Sequence, residues 1–190
     1  MSLQLVADQA VFPTRLASFQ VHRPELAAVV REQVLAASER LPSVTRGEAR
    51  GGWQSSEDLL EWSPELRQVA ELLVEAISSL RPDAPGLHLV AWANVLRAGD
   101  FFSPHRHAGS AWSGAWYVDV GDGPGGRLVL EDPRAGAGVL DSPLLDPGDG
   151  AALALAPQSG TLVVFPGWLQ HHVTPYAGER PRISLSFNAW

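Results

Sequence analysis

Residues 160–188 read GTLVVFPGWLQHHVTPYAGERPRISLSFN, and the last seven of them decide the fold. Arg182, Ser184, Ser186 and Asn188 alternate strictly with Ile183, Leu185 and Phe187. A period of two places the polar set on one face of a β-strand and the apolar set on the other. The preceding run 161–165, TLVVF, reads as a second strand, and Pro175 marks a turn in the segment between them. Two placements suit the alternating strand: an outer strand with a wet face, or a strand whose polar face lines a barrel interior while its apolar face packs under helices. In the second placement Arg182 requires a counter-anion, because an unpaired buried charge is very costly. Its planar fork suits a carboxylate, and Ser184 stands on the same face to add a hydroxyl.

Upstream, similar short runs recur at 87–97, 112–120, 127–131 and 151–155, divided by clusters such as GDGPGG, DPRAGAG and LDPGDG. Short strands separated by Gly/Pro turns indicate a β-sandwich or barrel. The first third of the chain has a different texture. Residues 24–41 start with proline and carry Leu26, Val29, Val30, Val34, Leu35 and Leu41 at helical spacing. Residues 64–80 form a second helical pattern with Ser63 placed to cap it, and 43–62 between the two reads as a loop with a Gly-Gly turn. The expected fold is therefore mainly β, a jelly roll (double-stranded β-helix) with N-terminal helices packed on one sheet. It forms one domain over residues 1–190, helical or looped to about 85 and β from about 86. The Gly/Pro-rich stretch at 121–150 reads as hairpin turns and not as an interdomain linker.

Composition narrows the chemistry. A formal charge of −7 with no clustered Lys/Arg stripe disfavours nucleic acid and anionic membrane as partners. No cysteine is present, so disulfides and thiolate ligands are excluded and any metal must sit on histidine and carboxylate. The first residues, MSLQLVADQAVFPTRL, lack the basic and apolar regions of a signal peptide, and no apolar run is long enough to span a bilayer. A soluble cytoplasmic protein is the expectation.

The six histidines fall unevenly. His105 and His107 stand at i and i+2, on one face of an extended segment, with Arg106 facing the other way. His171 and His172 are adjacent and so point apart, which leaves one of them able to join the first pair. Imidazoles brought together from distant strands at the mouth of a barrel suit a first-row transition metal. Two polar residues on a solvated loop, and a His-His pair beside a turn, are the plain alternatives. No Gly-x-Ser-x-Gly elbow or phosphate-binding glycine loop is present.

Several stretches resemble the Fe(II)/2-oxoglutarate-dependent oxygenase superfamily, most closely a bacterial and phage group distantly similar to prolyl hydroxylases. They are GGWQS (51–55), WANVLRAGDFFSPHRH (92–107), SGAWYVD (113–119), LVLEDPR (128–134) and the 160–188 segment. The resemblance implies a dioxygenase that uses Fe(II) and 2-oxoglutarate to hydroxylate a prime substrate of unknown identity. It selects His171 over His172 as the distal iron ligand and His105 as the proximal one. It assigns Arg182, Ser184 and Tyr117 to the far carboxylate of 2-oxoglutarate, with Asn94 facing the same pocket. His107 departs from the superfamily's usual His-x-Asp, though the close group shares the His-x-His form. Either His107 ligates, giving a three-histidine site with one more positive charge and a leaning toward Zn, Ni or Cu, or Asp100, Asp119 or water fills that position. The ligand reading places His105, His107 and His171 on the metal. Two other classes stay open: a cupin-like three-histidine metalloenzyme without 2-oxoglutarate, and a non-catalytic metal- or ligand-binding barrel. A homodimer through the helical layer or Trp190 is one arrangement the sequence allows.

Overall fold

A computed structural model describes residues 6–7, 12–44, 47–83, 86–134 and 152–190. Eleven strands and two α-helices follow in the order β1 (Ala17–Gln20), α1 (Pro24–Arg40), β2 (Ala49–Arg50), β3 (Trp53–Gln54), α2 (Pro64–Leu80), β4 (Leu89–Leu96), β5 (Phe101–His105), β6 (Trp112–Asp119), β7 (Leu128–Glu131), β8 (Ala152–Leu155), β9 (Thr161–Pro166), β10 (His171–Val173) and β11 (Arg182–Ala189). Two sheets form, β1-β9-β6-β11-β4-β3 and β2-β5-β10-β7-β8, with every named pairing antiparallel. This is the jelly roll with its helices on the larger sheet.

The helices sit there for a reason visible in β11. Its apolar residues Ile183, Leu185 and Phe187 join Val30 and Val34 of α1 and Leu66, Leu73 and Ile77 of α2 in one buried cluster. The 17 residues of α2 begin at Pro64, and the Ser63 hydroxyl accepts from the Leu66 N–H at 3.2 Å, satisfying a donor that has no partner within the helix. A second cluster fills the space between the sheets, with Tyr117, Val163 and Phe165 from the larger meeting Leu128 and Leu130 from the smaller. The polar face of β11 looks into that inter-sheet space, so the interior placement of Arg182 holds.

Some elements differ from expectation. The 43–62 loop holds β2 and β3, and the Gly51-Gly52 turn between them carries the chain from one sheet to the other. Strands β1, β5 and β10 were not expected; β5 contains Pro104, and β10 is only three residues long. The described part of the 121–150 stretch includes tight turns with positive φ at Gly121, Gly125 and Gly126. Its remainder from residue 135, together with the start of the 151–155 run, lies outside the described residues.

Candidate metal centre and anion pocket

Strands β5 and β10 are hydrogen-bonded neighbours, and His105 and His171 are direct cross-strand partners. Directly opposed residues project from the same face of a sheet, here the inner one. The register slips between His171 and Val173, a bulge-like irregularity beside the ligand position. His107 lies two residues beyond the end of β5, in the turn leading to β6. The ring centroids of His105 and His171 are 4.3 Å apart, and each is 5.2 Å from that of His107. One ring nitrogen from each of the three can be chosen so that all lie within 4.8 Å of one another. Among the described residues, no other group of three or more His, Cys, Asp or Glu gathers in this way.

The carbonyl partners fix which nitrogen faces inward. His105 Nδ1 lies 2.7 Å from the Ser103 carbonyl and His171 Nδ1 2.9 Å from that of Leu169. A carbonyl only accepts, so Nδ1 carries the proton in both rings and Nε2 presents its lone pair to the centre. His171 is 5% exposed. Burial, then the facing imidazoles of His105 and His107, push its pKa down to about 3, which keeps it a neutral donor. His107 meets Trp92 edge-on, ring centroids 5.7 Å apart.

The two histidine-bearing turns are joined by backbone. The His107 N–H donates to the Gly167 carbonyl at 2.8 Å, and the Gly167 N–H to that of Ala111 at 3.3 Å. Only glycine fits there: a Cβ on residue 167 would lie 2.5 Å from the Ser110 carbonyl oxygen. On the outer side Arg106 donates to the Gln170 amide oxygen at 2.8 Å, and Gln170 donates to Glu131 at 2.5 Å. His172 also faces outward, 3.3 Å from Glu131, so the adjacent histidines do divide between the two faces of the sheet.

Both carboxylates considered as replacements for His107 are occupied elsewhere. Asp100 accepts from the Arg97 N–H at 2.7 Å, and Asp119 pairs with Arg31 at 2.8 Å. Neither lines the cavity beside the three rings.

That cavity is small, about 50 Å³, and opens to solvent. His105, His107, His171, Arg182, Ser184, Tyr117 and Asn94 all border it. Arg182 is 3% exposed, and among the described residues it makes no ion pair with a carboxylate. Its guanidinium carbon lies 4.9 Å from the Tyr117 ring centroid, a cation–π contact. Burial pulls the Arg182 pKa below the ordinary arginine value and pushes the Tyr117 phenol up, each partly offset by the other. Gly126 makes room for the guanidinium: a Cβ there would sit 2.8 Å from Arg182 Cδ and 2.9 Å from Nε. Among the described residues no carboxylate neutralises this buried cation, and its planar fork has the geometry to take one. Asn94 receives a hydrogen bond from Gln54 at 3.0 Å and donates to Ser186 at 2.9 Å, forming a polar wall.

Sequence reasoning missed Gln54, Glu48, Phe102 and Phe165 as cavity residues. Gln54, Phe102 and Phe165 lie in stretches that the resemblance picks out, whereas nothing marks Glu48. Trp112 packs against the helical cluster and Trp168 is 50% exposed. Trp92 is the tryptophan on the cavity wall among the described residues. His88 meets Trp190 edge-on with ring centroids 4.6 Å apart, and neither lines the cavity.

The donor set fits a divalent first-row metal, and the unpaired Arg182 fits the distal acid of a chelating dicarboxylate. The comparisons point the same way. Residues 90–188 match the family model "Putative 2OG-Fe(II) oxygenase". No curated protein matches the chain by sequence. Among solved structures, a Pseudomonas putida prolyl-4-hydroxylase is similar at 20% identity and TM-score 0.63, over 91% of this chain and 90% of that one. A Trichoplax adhaerens prolyl hydroxylase in complex with a hypoxia-inducible-factor peptide is 15% identical, TM-score 0.66, over 92% and 83%. HygX from Streptomyces hygroscopicus, with nickel and 2-oxoglutarate bound, is 15% identical, TM-score 0.65, over 93% and 82%. These likenesses establish the shared fold, and the family match covers more than half of the chain. The chain belongs to the 2OG-Fe(II) oxygenase family, a 2-oxoglutarate-dependent dioxygenase whose cofactors are Fe(II) and 2-oxoglutarate.

Proposed function

We propose that His105, His107 and His171 hold the iron through Nε2, and that Arg182, Ser184 and Tyr117 hold the distal carboxylate of 2-oxoglutarate, with Asn94 bordering it. The reaction is hydroxylation of a C–H bond in a prime substrate. The observation that carries this assignment is the opening of three imidazoles and one unpaired guanidinium into the same cavity, although they come from segments 105–107, 171 and 182.

When bound, iron with 2-oxoglutarate supplies oxidative decarboxylation of the co-substrate to succinate and CO2, coupled to oxidation of the substrate. The chain's own part is orientation and exclusion. Ser103 and Leu169 lock two rings in the productive tautomer. Arg182 fixes one end of the dicarboxylate, so its keto-acid end is directed toward the rings. Trp92, Phe102, Phe165 and Val173 give the cavity a dry wall that keeps bulk water from the reacting centre. With three neutral ligands the metal keeps one more positive charge than a two-histidine, one-carboxylate site would leave it.

Residues 1–190 act in this reading as one jelly-roll oxygenase-like domain, working in the cytoplasm on a small-molecule co-substrate and a separate prime substrate, and not on nucleic acid. A homodimer through the helical layer is compatible with it. Among the described residues, no helix is long and apolar enough to cross a membrane.

The test is 2-oxoglutarate decarboxylation with Fe(II), ascorbate and oxygen, followed as succinate. Slow turnover without prime substrate, lost in His105→Ala and His171→Ala, is the expected result. No succinate from protein shown to hold both iron and 2-oxoglutarate would overturn the catalytic reading.

A further inference from the structure

The cavity carries a charge pattern that bears on the prime substrate. Apart from the three histidines and Tyr117, its described ionisable lining consists of Arg182 and Glu48. Arg182 is committed to the co-substrate in the reading above. Glu48 then remains as the one lining carboxylate, and no second lysine or arginine faces the space.

The backbone of Glu48 is held in place. Its carbonyl accepts from the Ser103 N–H at 2.8 Å, and the next residue, Ala49, pairs with Phe102 of β5. Ser103 also supplies the carbonyl bound by His105 Nδ1, so Glu48 is one hydrogen bond removed from a ligand-orienting residue. Its carboxylate makes no ion pair among the described residues. An anionic substrate entering this cavity would meet a negative charge and, among the described lining residues, no cation besides Arg182, in a chain whose net charge is −7. A cationic group would gain a charge-assisted hydrogen bond to the half-buried Glu48 carboxylate.

We propose that Glu48 receives the prime substrate and selects one bearing an ammonium or guanidinium group near the C–H bond to be oxidised. This rests on the oxygenase assignment above. A different duty is available to the same residue, supplying through space the negative charge that a three-histidine site lacks. The two duties separate experimentally.

The experiment uses the full chain loaded with Mn(II) and 2-oxoglutarate without oxygen, so that nothing turns over. Mn(II) and 2-oxoglutarate affinities are measured first; failure there sinks the oxygenase assignment and not the role of Glu48. The loaded protein is then titrated calorimetrically with matched pairs, L-arginine against L-citrulline and L-lysine against L-norleucine. Each is supplied as the free amino acid and as the central residue of a blocked tripeptide, which tells a metabolite from a peptide source. At least one cationic member should bind about tenfold or more tightly than its neutral partner, the strength of a hydrogen bond to a charged group. Glu48→Gln should remove that difference and Glu48→Asp should keep part of it, with circular dichroism showing both variants folded. The proposal is overturned if no cationic probe is preferred at millimolar concentration, or if the preference survives Glu48→Gln. It is equally overturned if Glu48→Gln changes metal or 2-oxoglutarate affinity tenfold while leaving the probes unaffected, since the residue then serves the metal.

Discussion

Replacing Arg182 with methionine separates a structural arginine from a receptor. The guanidinium is 3% exposed and faces Tyr117, with no carboxylate partner among the described residues. In the protein without 2-oxoglutarate its burial is therefore a cost, relieved in part by the phenols of Tyr117 and Tyr176 and by a cation–π contact with Tyr117 worth about 0.5–2 kcal/mol. Methionine keeps the approximate length, packs against the same ring and removes the charge. Unliganded Arg182→Met should thus be as stable as the parent or more stable, by up to a few kcal/mol. Binding should move the opposite way. Two hydrogen bonds between guanidinium and carboxylate, at about 1.5–3 kcal/mol each, correspond to roughly 10²–10⁴ in the Kd for 2-oxoglutarate. Thermal unfolding with Mn(II) and graded 2-oxoglutarate reads both effects. At a concentration 100 times its Kd the ligand adds about 2.7 kcal/mol, about 5–11 °C for a chain of this size, and the variant should lose most of that gain. Unchanged 2-oxoglutarate affinity in a variant that unfolds several kcal/mol more easily would show Arg182 to be a structural residue and refute the reasoning.

Other perturbations reach the same site from different directions. His107→Asp should keep metal binding and shift preference away from Zn(II) and Ni(II) toward Fe(II) and Mn(II), read as a ratio of dissociation constants, whereas His107→Ala should weaken all four. His171, whose folded pKa is about 3 against an ordinary value of 6.5, binds its proton more readily when the chain is unfolded. Metal-free stability should therefore be fully present above about pH 6.5 and decline at about 1.4 kcal/mol per pH unit as pH falls toward 3, and denaturant titrations should show that slope flattened in His171→Asn. Gly167→Ala forces a Cβ to within 2.5 Å of the Ser110 carbonyl oxygen and should cost about 1–3 kcal/mol and weaken metal binding, while Gly86→Ala, with no atom within 4 Å, should change stability by less than about 0.5 kcal/mol.

Periodicity carried most of the architecture because the burial is one-sided. Strand β11 alternates since helices cover one face and the ligand cavity occupies the other, and α2 is legible from its cap and apolar stripe. Strands β5 and β10 were hidden for physical reasons. The first carries a proline and the second spans three residues, two of them histidine, so neither shows a run of strand-forming side chains. The grouping of the cavity residues was legible where spacing constrains placement: the i, i+2 histidines meet His171, and the strand alternation brings Arg182 and Ser184 to the same cavity. Glu48 was not, because a single carboxylate in a glycine-rich segment looks like any solvated turn residue until β2 is seen pairing with β5. The engagement of Asp100 and Asp119 elsewhere likewise needed three dimensions, since only their partners show it.

The most direct test of the account is an anaerobic crystal structure with Fe(II) and 2-oxoglutarate. It should place Nε2 of His105, His107 and His171 at about 2.0–2.2 Å from one ion, with no carboxylate side chain bound and with the far acid of the co-substrate on Arg182. An ion bound away from the three rings, or a dicarboxylate that leaves Arg182 without a partner, would contradict it.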